Sequence, residues 1–460
     1  MEKDIHVLGA ELSFGEDILR VPMKFGADVT TESTCARVLV TVAGEDGVCA
    51  TGWGETPLSV NWAWPSRELG YEERLDRLKA FCCRLAGLWL EFSYRGHPME
   101  IGHMFMRDGL VGALREENAG LDEAHSMPYL AALICNSLFD IAVHDAYGEY
   151  HKARTFDLYN RDYMNHDLSW YYTPKYAKLF KGKYPQDFLV PRDKVPAEIL
   201  AWHLVGAKDA VLREELTGNE PDDGYPVLLE DWIHTDGLQC LKIKLTGIDA
   251  AWDYERIVRV GGVARATGVT WLSVDFNCMV TEPAYVCTML DRLAAEQPEI
   301  NDMLLYVEQP FPYEIEKYPI DVREVSARKP LFMDESAHDW QFVEMGLGHG
   351  WNGVALKTCK TLTGALLSLC WAREHGMQIM VQDLTNPKLA LITHVLLAAN
   401  VGTIMGVETN SMQFIPEASA VERRVHPGLY TRRNGRVSFD TLGKTGFGYR
   451  MEDIMKNNTK

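Results

Sequence analysis

The chain has 460 residues, 47% hydrophobic and 24% charged, a globular composition that excludes a disordered or fibrous protein. Its 46 basic residues stand against 65 acidic ones, a net charge of −19. That balance lacks the electrostatic footprint of a nucleic-acid binder. Ten scattered cysteines form no CxxC pair, which argues against a disulfide framework or a zinc site. The opening Met1-Glu2-Lys3-Asp4 has no apolar signal core, and the apolar run from Leu389 to Val407 is broken by His394 and Asn400. A reduced, cytoplasmic protein without a membrane span is expected, with length enough for about three domains.

In chain order, Cys35–Ala43 is rich in β-formers, Gly44-Glu45-Asp46-Gly47 reads as a turn, and Val48–Gly54 as the returning strand of a hairpin. Apolar residues recur at helical spacing over Glu72–Leu90 and Met127–Tyr150. Residues 1–150 are therefore expected to form one α+β unit. Residues 151–194 crowd Tyr159, Tyr163, Trp170, Tyr171, Tyr172, Tyr176, Phe180, Tyr184 and Phe188 among basic residues. Such a mixture can contact single-stranded nucleic acid. With this net charge, an insertion packed on its own domain or on a second subunit is the preferred reading.

From residue 195 to about 415, strand and helix alternate. Strands are predicted at Leu200–Val205, Leu241–Leu245, Trp271–Asp275, Leu304–Glu308, Leu331–Glu335, Gly353–Lys357, Gln378–Asp383 and Thr403–Glu408. Helical patterns between them include Ala251–Ala266, Ala284–Glu296 and Gly364–His375. Strict alternation implies parallel pairing with crossover helices, and eight units suit a closed (β/α)₈ barrel better than an open doubly wound sheet.

Barrel active sites lie at the C-terminal strand ends, and there the charges collect. The second strand ends Lys242-Ile-Lys244, the third Asp275-Phe-Asn277, the fourth Glu308-Gln-Pro, the fifth Asp334-Glu335-Ser336, the sixth Lys357, and the seventh Gln382-Asp383. Three carboxylates from adjacent strands, Asp275, Glu308 and Asp334, can converge on a hard cation, Mg²⁺ being the usual choice. Lys244 and Lys357 stand on opposite walls and can act as bases from either face of a substrate. Lys242, with the cation, is expected to lower the pKa of the reactive amine. The competing reading is a set of salt bridges at the barrel mouth. Strand alternation predicts that only one of Asp334 and Glu335 faces the lumen. Asn277 reads as an outer partner or a loop residue, and Asp383 and Glu408 as substrate contacts or solvated charges. His203 and His394 read as core histidines.

These motifs, together with Leu-Lys357-Thr-Cys-Lys360, resemble the enolase superfamily, in its mandelate racemase/muconate lactonizing enzyme branch. The resemblance implies a barrel with an N-terminal capping domain. Pro22–Ser33 and Gly52–Trp64 would be the loops over the substrate, and the tail 416–460 would complete the cap. It also implies Mg²⁺ on Asp275, Glu308 and Asp334, with Lys244 and Lys357 as acid/base groups and Lys242 as their helper. The shared step is removal of a proton α to a carboxylate, giving a metal-stabilised enediolate.

The chain departs from the family in detail. No His–Asp dyad of the acid-sugar dehydratases is present, Thr361-Leu-Thr363-Gly364 replaces a glycine pair, and Gly406-Val-Glu408-Thr stands where dipeptide epimerases carry Asp-x-Asp. The expected activity is an isomerase, a racemase or epimerase of a small carboxylate or amino-acid derivative, in a homo-oligomer. The alternatives are a cycloisomerase, an elimination lyase (dehydratase), or a non-catalytic binding protein on the same scaffold. Gly348-His-Gly350-Trp-Asn-Gly353 matches a dinucleotide fingerprint but precedes a strand, so its context is wrong.

Overall fold

The computed structural model describes residues 3–25 and 28–458. Two hairpins at the start build an antiparallel sheet in the order β1 (Ile5–Phe25), β2 (Asp28–Gly44), β3 (Cys49–Pro57). The β2–β3 turn falls at Gly44–Gly47 as the sequence predicts, with Gly47 at φ 76°. β1 carries too many polar residues to be read in advance. Its pairing with β2 slips between Ile18 and Met23, so Leu19–Pro22 bulge opposite Thr31.

Helices α1 (Tyr71–Glu91) and α2 (Tyr129–Tyr150) pack on this sheet. The stretch 123–150 is apolar enough to cross a membrane by composition, and it is mostly buried inside the structure. β3 meets α2 at glycines. A Cβ on Gly54 would run into the Leu138 carbonyl, and one on Gly52 into the backbone of Ala142 and Ala146. Small residues on both elements allow that approach.

The aromatic segment 151–194 forms short 3₁₀ turns and one four-residue helix, Ala177–Phe180. Tyr159, Leu168, Tyr171, Tyr172, Phe180 and Phe188 are buried within the main core. Tyr172 Oη donates to the Leu367 carbonyl at 2.7 Å, and Tyr176 packs edge-on against Trp340 and Trp371. These aromatics serve packing within the chain.

The barrel follows as β4 (Glu198–Val205), α3 (Leu229–Asp236), β5 (Cys240–Lys244), α4 (Ala250–Thr267), β6 (Trp271–Asp275), α5 (Pro283–Glu296) and β7 (Leu304–Glu308). It continues as β8 (Leu331–Met333), α6 (Trp340–His349), β9 (Gly353–Leu356), α7 (Leu362–Glu374), β10 (Gln378–Val381), α8 (Lys388–Val401) and β11 (Val407–Glu408). Neighbours are parallel in the order β10-β9-β8-β7-β6-β5-β4-β11. The Ile404 amide donates to the Ile379 carbonyl at 2.9 Å across the remaining gap, so the ring is nearly closed. Trp202, Cys240, Tyr306, Phe332 and Met380 fill its interior as one cluster.

Several strands are shorter than the sequence predicts. The fifth, sixth and seventh barrel strands end at Met333, Leu356 and Val381, which leaves Asp334, Lys357 and Asp383 on the loops beyond. The eighth is only Val407–Glu408. The two expected cap loops are also corrected. Within Gly52–Trp64, residues up to Pro57 belong to β3, and Val60–Ala63 form a single helical turn. Pro22–Ser33 is the far end of the β1–β2 hairpin, of which Gly26 and Ala27 lie outside the described residues.

After residue 416 the tail serves both layers. β12 (Arg436–Ser438) pairs antiparallel with the start of β4, while the Phe447 amide donates to Asp145 of α2 at 2.8 Å. Because the β3–α2 contact leaves no room for a methyl group, Gly54→Ala should destabilise the protein by about 3 kcal/mol. A urea unfolding midpoint shift measures this.

Candidate active site

Parallel pairing sets the chemical groups side by side. In the strand register Lys244 lies opposite Asp275, and Asp275 opposite Glu308. Asp334 follows the end of the next strand. Lys244 and Asp334 border a small cavity of about 70 Å³ between barrel mouth and cap, and Asp275 and Glu308 are buried beside them. Lys242, Lys244, Asp334, Lys357, Asp383, Glu408 and Asn410 line it from the barrel. The cap contributes Leu19, Met23 and Thr30 from the β1–β2 hairpin, and Leu58–Trp62 and Tyr71 beyond it.

The lysines pair with the carboxylates. Lys242 Nζ lies 2.6 Å from Glu308 Oε1, 3.1 Å from Asp275 Oδ2 and 3.3 Å from Glu408 Oε2. Lys244 Nζ shares the same Asp275 oxygen at 2.6 Å. On the opposite wall Lys357 Nζ donates to the Asp383 carbonyl at 2.6 Å and sits 3.1 Å from Asp334 Oδ2. Lys360 Nζ bonds the Asp334 carbonyl and approaches its Oδ1 at 3.6 Å. Gln382 Nε2 donates to Tyr306 Oη at 2.7 Å and also to Glu308.

Among the described residues no group of three or more His, Cys, Asp or Glu side chains is set to hold a metal ion. Lysine ammonium groups stand beside the carboxylates that were expected to converge. The donor set nevertheless suits a hard divalent cation. Six carboxylates (Asp275, Glu308, Asp334, Glu335, Asp383 and Glu408) are buried with Lys242, Lys357 and Lys360, beside the partly buried Lys244, an excess of two negative charges when all are ionised. All the donors are oxygens, and Asp334 Oδ1 is buried without a hydrogen bond.

Burial and neighbouring charges push the acids of the cluster in different directions. Burial drives the Glu308 carboxyl well above its usual range; Lys242 opposes this, and Asp275, Asp334 and Glu408 add to it. Burial and the neighbouring Asp334 and Asp275 push Glu335 up to about 7. For Asp275 burial is overridden by Lys244 and Lys242, which hold the carboxyl low. Asp334 is held low in the same way by Lys357 and Lys360. The Lys357 ammonium, despite burial, is stabilised by Asp334 and its pKa is raised.

A family model for the enolase C-terminal domain-like fold matches residues 226–454. The chain belongs to the enolase superfamily. Solved structures of the mandelate racemase/muconate lactonizing enzyme branch share its fold. The L-Ala-D/L-Glu epimerase of Bacillus subtilis superposes with a TM-score of 0.59 at 16% identity, over 96% of this chain and 98% of that one. The muconate lactonizing enzyme of Pseudomonas fluorescens gives 0.59 at 12% identity over 98% of each chain. A dipeptide epimerase of Enterococcus faecalis, complexed with Mg and the dipeptide L-Leu-L-Tyr, gives 0.58 at 14% identity over 96% and 99%. No protein of curated function matches the sequence.

On this enolase-superfamily scaffold the remaining candidates find defined places. Asn277 is buried at φ 49°, its amide donates to Asp275 Oδ1 at 2.9 Å, and its side-chain nitrogen has no hydrogen-bond partner. Asp334 and Glu335 both join the cluster, contrary to the alternation argument, because β8 has already ended at Met333. Asp383 and Glu408 are buried, which removes the solvated alternative. Asp383 accepts from the amides of Leu384, Asn386 and Asn410, and Glu408 Oε2 accepts from the Asp383 amide at 3.0 Å. His394 Nε2 lies 2.7 Å from the Glu408 carbonyl, and His203 lies between Gln413 and Arg432.

Sequence reasoning missed Trp62, Gln382 as a partner of Glu308, and any task for Lys360. The only advance signal for Lys360 was its position three residues after Lys357. Trp62 comes from the cap, far away in sequence, and its indole Nε1 donates to Glu335 Oε1 at 2.9 Å. Because Lys242 serves three buried carboxylates, Lys242→Met should cost about 3–5 kcal/mol of stability. Adding Glu308→Gln should recover part of that loss in a thermal unfolding cycle.

Proposed function

We propose that this protein abstracts the proton α to a carboxylate in a small substrate and returns it, as a racemase or epimerase of a carboxylate or amino-acid derivative. The observation that carries this reading is that Lys244 and Lys357, on strands half the ring apart, line one cavity with carboxylates between them. The Mg-containing dipeptide epimerase of similar fold supports the same reading.

Asp275, Glu308 and Asp334 would hold Mg²⁺, which would supply a Lewis acid for charge building on the substrate carboxylate. Lys244 takes the α-proton from one side of the substrate carbon, and Lys357 delivers one to the other. Reversal of roles serves the opposite enantiomer, so two amines suit inversion. Lys242 spends its charge on Glu308, Asp275 and Glu408, which keeps the carboxylates in place beside the reacting groups. The cap residues Leu19, Met23, Leu58 and Val60 present apolar surface over the cavity and exclude water, so a proton removed to a lysine is not lost to solvent.

In deuterated water with Mg²⁺, the protein should exchange the α-proton of a member of a panel of N-acylated amino acids, dipeptides and hydroxy acids. Lys244→Ala should slow that exchange by at least about 100-fold, and exchange at the wild-type rate in this variant would remove Lys244 from the mechanism. Chelation should abolish exchange and Mg²⁺ restore it. Exchange accompanied by ring closure or loss of a leaving group, without inversion, would point to the cycloisomerase or elimination alternative.

A further inference from the structure

Trp62 lies on the helical turn Val60–Ala63, in the cap, and is 5% exposed. Three groups of the barrel site meet its indole. Nε1 donates to Glu335 Oε1 at 2.9 Å, Lys357 Nζ stands over the ring 4.8 Å from its centroid, and Lys360 Nζ stands 5.6 Å away. The turn is itself braced by α1. Arg74, buried, donates to Asn61 Oδ1 at 3.1 Å, to the Gly70 carbonyl at 3.2 Å and to the Trp64 carbonyl. A chain of contacts thus runs from a cap helix through one aromatic ring to the lysine on the sixth barrel strand end. Lys244, on the opposite wall, pairs with Asp275 Oδ2 at 2.6 Å.

We propose that Trp62 is a positioning residue for Lys357. Its face, together with Asp334 and the Asp383 carbonyl, restricts the ammonium to one direction, so the cap completes the wall of the site that carries Lys357. The inference rests on the proposed α-proton chemistry for its functional meaning, but its physical content concerns Lys357 alone. A ring face attracts a cation most strongly where water is excluded. Trp62→Phe keeps an aromatic face and loses the Glu335 bond, whereas Trp62→Leu keeps apolar bulk and loses the face.

The test is trace acetylation of the full-length protein with acetic anhydride, read lysine by lysine by peptide mass spectrometry. In Trp62→Leu the labelling of Lys357 should rise about fivefold while that of Lys244 stays within about twofold of wild type. In Trp62→Phe, labelling of Lys357 should remain within about twofold of wild type. Unchanged labelling of Lys357 in the leucine variant would overturn the assignment. An equal rise at Lys244 would do so too, by making Trp62 a general cover. In the exchange assay, Trp62→Leu should slow the enantiomer whose α-proton faces Lys357 more than its antipode, and equal slowing of both counts against positioning. The labelling needs no substrate, so silence of the wild-type protein in the exchange assay tells against the proposed chemistry while the labelling still decides the role of Trp62.

Discussion

Burying charge is the constraint around which this structure is organised. A carboxylate removed from water loses several kcal/mol of hydration unless cations and hydrogen bonds replace it. This barrel mouth buries six carboxylates with three lysines and the partly buried Lys244. Lys242 shows the arrangement most clearly. It is 2% exposed and serves Glu308, Asp275 and Glu408 from the centre of the ring. An apolar plug of similar volume would fill the mouth at less cost, so a purely structural role explains the cluster poorly. The acids here are pushed up by burial or held low by neighbouring lysines, a pattern that functional sites share.

The architecture distributes that cost. Parallel strands place Lys244, Asp275 and Glu308 at one level by register alone. Below them Trp202, Tyr306, Phe332 and Met380 close the barrel with apolar bulk, which keeps solvent from reaching the ions from beneath. Above them the cap shields the same groups with the β1–β2 hairpin and the turn at Val60–Ala63. The cap is fastened to the barrel by charge as well as by packing: Arg20 of β1 pairs with Asp223, and Asp17 with Lys388. These contacts join the hairpin that lines the cavity to the loop following the first barrel strand and to the start of α8.

Much of the site was legible in the amino-acid order because a barrel converts strand ends into neighbours. Once alternating strands and helices were counted, Lys244, Asp275, Glu308 and Lys357 had to stand around one opening. What stayed hidden came from the other layer or from irregular backbone. Trp62 reaches the site only because α1 and β3 hold its turn over the barrel, and neither periodicity nor motif connects residue 62 with residue 357. Asp334 and Glu335 share the cluster because the strand stops at Met333, two residues before its predicted end. β1 escaped notice because its outward face is polar and its inner face packs only once the sheet exists.

The primary structure by itself determined the number of barrel units, the chemical types at their ends, and the apolar helices that cover sheet and barrel. These follow from local periodicity and composition, which act over a few residues. Only the tertiary structure decided which ammonium meets which carboxylate, that lysines stand beside the acids, and that one indole of the cap spans Glu335, Lys357 and Lys360. Those pairings depend on distances between segments separated by tens to hundreds of residues, and Coulomb energies in a buried site change steeply with such distances.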